Sequence, residues 1–119
     1  DLEEVDKVNS LQTIDIADQG SYMLHYNMRK QPFNDVNVRR ALTYAIPKQA
    51  IVDVIFGGRA LKAFSVVGEI NEAWHNPNIE KIDYDMEQAK KELQDAGFRW
   101  DENGEIYYPE NYVPLEYLD

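Results

Sequence analysis

The chain has 119 residues, no cysteine, and 22 acidic against 12 basic side chains, for a formal net charge of -10 at pH 7. That charge repels phosphate backbones and anionic membrane surfaces, and so argues against nucleic acid as a partner; the lack of cysteine excludes a disulfide framework, a thiolate metal site and a cysteine nucleophile. At 44% hydrophobic and 29% charged residues, the composition is that of one soluble domain, of a size that buries roughly two-thirds of its unfolded surface.

In chain order, residues 1–20 are polar with apolar beads at Val5, Val8, Leu11, Ile14 and Ile16, and they end in a turn at Asp18-Gln19-Gly20. A short strand is expected near Leu11 to Ile16. The segment SYMLHYNM is rich in aromatic and aliphatic side chains and reads as a strand buried on both faces, Tyr22, Leu24 and Tyr26 on one side, Met23 and His25 on the other. A helix is predicted from a cap at Asp35 to Ala45, since Val38, Ala41, Leu42 and Ala45 recur at helical spacing and Pro47 forces Ile46 out of the helical region. Pro47 suits the first turn of a second helix with a stripe of Ala50, Ile51, Val54 and Ile55, stopped by Gly57-Gly58, so that the two helices form a tight, angled pair.

From Arg59 to Asp83 the periodicity dissolves into a long surface connection carrying Trp74 and His75. A third helix is predicted from Asp85, with Gln88 completing a capping box, Glu87 and Lys91 forming an ion pair, and Gly97 as the residue just past its end. Asn103-Gly104 between two aromatic runs is a strong hairpin signal, and Tyr112 to Leu118 alternates like a further strand. The last strand runs into Leu118-Asp119 and the first segment has no evident partner, so sequence outside the chain is expected to complete the sheet.

Sites of chemistry are sparse. His25 and His75 are the two histidines, and neither has a ligand at helical spacing, so no metal site is expected. Asp101, Asn103 and Glu105 around Gly104 do not keep the spacing of a calcium loop and read as a turn. Gly57-Gly58 lacks the phosphate-loop pattern, and the serines have no nucleophile elbow. Neither a catalytic residue nor a cofactor is expected, and the chain reads as a binding element with no enzymatic activity.

Residues 21–58 carry an aromatic strand ending in Asn, then P-F-x-D-x-x-V-R-x-A-L-x-x-A-I and a glycine helix stop, with Asn27, Pro32, Phe33, Asp35, Val38, Arg39, Ala41 and Leu42 in place. A second block, YDMEQAKKELQDAGF, runs from Tyr84 to Phe98. In these two ordered blocks the chain resembles the family 5 extracellular solute-binding proteins of ABC importers, over about residues 20–118. Pro47 and Met86 depart from the family pattern without disturbing a helix, and the loop between the blocks lacks the usual prolines.

The resemblance implies an α/β (mixed α+β) fold, a partial lobe of the periplasmic-binding-protein type II fold, with about three helices on a small mixed sheet and a hairpin near the C-terminus. Residues 1–119 would form the N-terminal portion of lobe II, the rest of the parent chain being missing. The implied partners are an oligopeptide or similar small solute and an ABC permease. The implied location is periplasmic or extracellular, with a lipid anchor on the parent; the N-terminus itself has neither the basic start nor the apolar stretch of an export signal. Tyr22, His25, Tyr26 and Trp74 are the candidate ligand contacts, each open also to a plain structural role, and Arg39 reads as a structural anchor. The alternative is the ligand-sensing domain of a transcription regulator with the same fold.

Overall fold

The computed structural model describes residues 2–5, 7–14, 16, 18 and 20–112. A short helix α1 (Leu2–Val5) is followed by α2 (Val36–Ala45), α3 (Lys48–Ile55), α4 (Met86–Asp95) and a two-stranded antiparallel ribbon, β1 (Arg99–Trp100) with β2 (Ile106–Tyr107). The fold is mixed α/β, as the sequence indicated.

Each main helix begins and ends where local chemistry dictates. The Asp35 carboxylate accepts the Asn37 amide at 2.7 Å and starts α2, which stops at Ile46, extended at ψ 113° because Pro47 excludes the helical region there. Pro47 opens α3, and Gly57 and Gly58, at φ +57° and +76°, end it in the left-handed region that favours glycine. Asp85 caps α4 by accepting the Glu87 and Gln88 amides, each at 3.0 Å. At the far end Gly97, with φ +91°, turns the chain so that its amide reaches Gln94 O at 2.9 Å and the Phe98 amide reaches Leu93 O at 3.0 Å, a Schellman closure.

The core is the contact between α2 and α4. Val38 and Ala41 from α2, Ala89 and Glu92 from α4, and Phe98 just beyond it are buried, with Val52 from α3. Alanines on both helices let the backbones approach, which brings the Asp85 amide onto Tyr44 O at 2.9 Å. That bond occupies the donor Gln88 was expected to take in a capping box, and Gln88 instead donates to Glu92 at 3.2 Å. The buried Glu92 carboxylate also accepts from Arg40 Nε at 3.1 Å, and the same guanidinium reaches Glu80 at 3.3 Å. One arginine on α2 thereby ties α4 and the preceding loop together, and the two carboxylates raise its pKa further.

Several expectations are corrected. Segment 21–28 is not a buried strand: Tyr22 is 89% and Leu24 62% exposed, and among the described residues no neighbouring segment supplies a ladder. The same holds for Leu11 to Ile16, where Ile14 and Ile16 face solvent. Helix α3 turns Val52 inward and leaves Val54 and Ile55 exposed, so the expected stripe is displaced. Helices α2 and α3 do not make the tight pair predicted, because α2 spends its apolar face on α4. Glu87 pairs with Lys90 at 3.6 Å, one residue nearer than Lys91. The short helix α1 was not anticipated, and the strand expected from Tyr112 to Leu118 lies, beyond Tyr112, outside the described residues.

The hairpin forms in the register Arg99 with Tyr107 and Trp100 with Ile106. Its five-residue loop is organised by Asp101, whose carboxylate accepts the Asn103 and Glu105 amides, both at 2.9 Å. With those amides satisfied, led by Glu105, the Asp101 carboxyl sits below the usual carboxylate range.

The chain is nevertheless far from closed. Its radius of gyration is 19.6 Å, against roughly 13.5 Å for a compact domain of this length. Its accessible surface of 9958 Å² compares with roughly 6,700 Å² for a compact chain of this size.

Because the α4 cap holds two otherwise unpaired amides, Asp85→Ala should destabilise the chain by about 0.5–2 kcal/mol, with Asp85→Ser restoring most of the loss. Urea unfolding followed by helical circular dichroism checks this; unchanged midpoints for both variants would mean that the cap is dispensable.

Candidate functional site

The groove that gathers candidate residues lies where the chain before α2 turns toward that helix. Asn27 makes the turn: its side-chain oxygen accepts the Arg29 amide at 3.2 Å and its carbonyl accepts the Lys30 amide at 3.0 Å. Phe33 is then fixed from α2, since Arg39 donates to its carbonyl at 2.7 Å. The Phe33 ring stacks on Tyr26 with centroids 5.7 Å apart and an interplanar angle of 29°. A side chain on α2 thus sets the position of Tyr26 through one carbonyl and one ring.

His25, Tyr26, Asn27, Met28 and Arg29 line an open groove of about 460 Å³. It offers an imidazole, a phenol, a carboxamide, a thioether and a guanidinium, and no carboxylate. Partial burial raises the Tyr26 phenol pKa above its ordinary value, so at neutral pH the hydroxyl is protonated and able to donate. This donor set on a strongly acidic chain can hold an anionic or carbonyl-bearing group by hydrogen bonds, with apolar contact from Tyr26 and Met28.

The structure brings two of the four candidate contacts, His25 and Tyr26, into this groove, together with Asn27 of the sequence motif. Tyr22 lies upstream, its ring tilted against Phe56 at 5.2 Å. Trp74 is outside the groove, 79% exposed on a turn in which its amide and that of His75 both bond Asn71 O, at 3.0 and 2.9 Å. His75 is held to its own loop, with Nδ1 3.0 Å from Val67 O. Pro32 lies between the Asn27 turn and Asp35, which caps α2, while Val38, Ala41 and Leu42 belong to that helix. Met28 and Arg29 were not singled out from sequence; a basic residue two positions after Asn27 was the available signal.

A second open groove of about 560 Å³, which sequence reasoning missed, runs along the hairpin beside Trp100, Tyr107 and Tyr108. The rings of Tyr108 and Tyr112 stack at 4.1 Å. Among the described residues no group of three histidine, aspartate or glutamate side chains converges to hold a metal.

The long connection carrying Trp74 is pinned rather than loose. Lys62 pairs with Asp83, Lys81 with Glu69 at 2.7 Å, and Lys48 donates to Ile82 O at 2.7 Å. Their ammonium groups lie 5.4 to 5.7 Å from the centre of the Phe64 ring. Burial lowers the Lys48 pKa, whereas the hydrogen bonds from Lys62 and Lys81 hold the carboxyls of Asp83 and Glu69 below their usual range.

Three main helices, a hairpin and an aromatic groove at the turn into the first long helix make up the described fold, and the comparisons name its family. The sequence profile of the bacterial extracellular solute-binding proteins, family 5 (middle region), matches residues 1–118, and the chain belongs to that family, whose members are binding proteins rather than enzymes. The dipeptide-binding protein of Escherichia coli K12 is 39% identical over 75 residues, 62% of this chain and 14% of that protein. Heme-binding protein A of Haemophilus influenzae is 36% identical over 74 residues, 61% of this chain and 13% of that protein. The crystal structure of NikZ from Campylobacter jejuni in complex with Ni(L-His) aligns with a TM-score of 0.60 and 28% identity, over 70% of this chain and 16% of that one. The chain therefore spans between 13% and 16% of the length of these three proteins.

The depressed carboxyls set a pH dependence for the loop. Their contribution is fully present above the unfolded-state values near 4 and is lost as pH falls through the lower folded-state values. Acidification from pH 5 toward 2 should therefore release residues 59–83 and shift Trp74 emission in a Trp100→Phe background. A flat emission profile, or the same profile in Lys62→Ala/Lys81→Ala, would show that these pairs do not hold the loop.

Proposed function

We propose that residues 1–119 form the N-terminal portion of lobe II of a two-lobed solute-binding protein, which captures peptides or similar small solutes outside the cytoplasm and delivers them to the permease of an ABC importer. The observation that carries this reading is the family match across residues 1–118. The relatives' names and the NikZ complex speak of a dipeptide, heme and a nickel–histidine complex. These are small solutes with carboxylates or other polar groups, and such a group suits a groove furnished with His25, Tyr26 and Arg29.

Physically, a two-lobed receptor closes only if the solute contacts both lobes in the closed state, because a ligand without differential affinity shifts no equilibrium. The groove at 25–29 is open, as one wall of such a cleft would be. A lipid anchor on the parent protein would raise its effective concentration at the permease. Trp74, presented on a pinned loop, is the candidate for contact with solute or permease. The three relatives compared do not support the transcription-regulator reading.

Titration of the full-length parent with a defined dipeptide and tripeptide library, read by calorimetry, should find micromolar or tighter binding. Tyr26→Ala should weaken it about tenfold, equivalent to about 1.4 kcal/mol, and the 119-residue chain alone should bind at least a hundredfold more weakly. Absence of binding to the full-length protein, or undiminished binding by the isolated chain, would contradict the proposal.

A further inference from the structure

The hairpin groove of about 560 Å³ shares no residue with the groove at 25–29. Its aromatic wall is already ordered. The Tyr108 ring meets Phe98, with centroids 5.4 Å apart, and stacks on Tyr112 at 4.1 Å with an interplanar angle of 7°. Phe98 is part of the buried core, so the wall is tied to the rest of the fold, yet Tyr107 and Tyr108 remain 51% and 56% exposed.

The same hairpin concentrates negative charge. Residues 99–112 hold four carboxylates, Asp101, Glu102, Glu105 and Glu110, against the single cation Arg99. Two of the four converge on one phenol, the Tyr107 hydroxyl lying 3.3 Å from Asp101 Oδ2 and 3.4 Å from Glu105 Oε2. A phenol has one proton and donates to one of them at a time, so two like charges share a single donor beside an exposed ring. A cation placed there would relieve the repulsion and lie against the ring face.

We propose that this face docks an arginine-bearing segment of a partner protein, the guanidinium laid on the Tyr107 ring and hydrogen-bonded to Asp101 and Glu105. Charge complementarity selects the occupant. An anionic partner or membrane surface is repelled by the hairpin and by the net charge of -10, and a second copy brings the same charge. Among cations, a guanidinium is planar, stacks on aromatic faces and forks onto carboxylates, whereas an ammonium is a compact, strongly hydrated point charge. Rings ordered before binding reduce what the association must immobilise. This docking does not depend on solute binding at 25–29.

Fluorescence anisotropy of capped, dye-labelled pentapeptides carrying two arginines, two lysines or two glutamates, titrated with the full-length protein, tests this. The arginine probe should bind, the lysine probe several-fold more weakly and the glutamate probe not at all, with binding weakened by added salt. Tyr107→Ala should reduce arginine-probe binding about tenfold. Glu105→Gln, which keeps the shape of the side chain, should reduce it about threefold, and Tyr26→Ala in the other groove should leave it unchanged. Equal binding of the glutamate probe, or arginine-probe binding untouched by both hairpin variants, would overturn the proposal. Loss of binding in Tyr26→Ala alone would assign the probe to the groove at 25–29 and overturn it too. Self-association of the full-length protein that Tyr107→Ala abolishes would give the face to a second copy and overturn the stated occupant.

Discussion

The contact between α2 and α4 is the constraint on which the rest depends. It combines close approach at Ala41 and Ala89 with a polar lock, the Glu92 carboxylate held by Arg40 and Gln88 inside an otherwise apolar seam. A buried carboxylate without partners would be costly; hydrogen-bonded from both helices, it fixes their relative placement. From this seam the Tyr44 carbonyl receives the start of α4, Arg40 reaches out to Glu80 of the long loop, and Arg39 reaches Phe33. Neighbouring arginines on one helix thus position the loop on one side and the aromatic groove on the other.

That arrangement explains how a chain with so little core can hold a site. The groove at 25–29 owes its shape to a helix it does not belong to, through Arg39, the Phe33 carbonyl and the stacked ring. The loop carrying Trp74 owes its path to lysines gathered around Phe64, each also engaged with a carboxylate or carbonyl of the loop. Family membership and groove chemistry together support the proposal of solute binding, in which a second wall completes the open groove.

What could be read in the sequence was whatever is decided within a few residues. Asp35, Pro47, Asp85 and Gly97 act on their immediate neighbours, and the helix limits they announce are those observed. The two sequence blocks likewise carried the family. What could not be read was decided by partners remote along the chain. Glu92 and Arg40 are 52 residues apart, and no local pattern pairs them. The capping box failed for the same reason, because the Tyr44 carbonyl claimed the Asp85 amide. The aromatic segment 21–28 has strand composition, but burial is a property of its neighbours, and among the described residues no segment pairs with it as a strand. At the groove, the sequence pointed to His25 and Tyr26, while Arg29 joins them only because the Asn27 turn folds it back.

The central claim is that a firm helical seam supports a chain whose remaining surface stays open. Small-angle X-ray scattering of the dilute, isolated 119-residue chain measures this directly. The account predicts a radius of gyration near the 19.6 Å of the structure. A value near 13.5 Å, that of a compact domain of this length, would mean that the chain closes on itself, and would contradict the account.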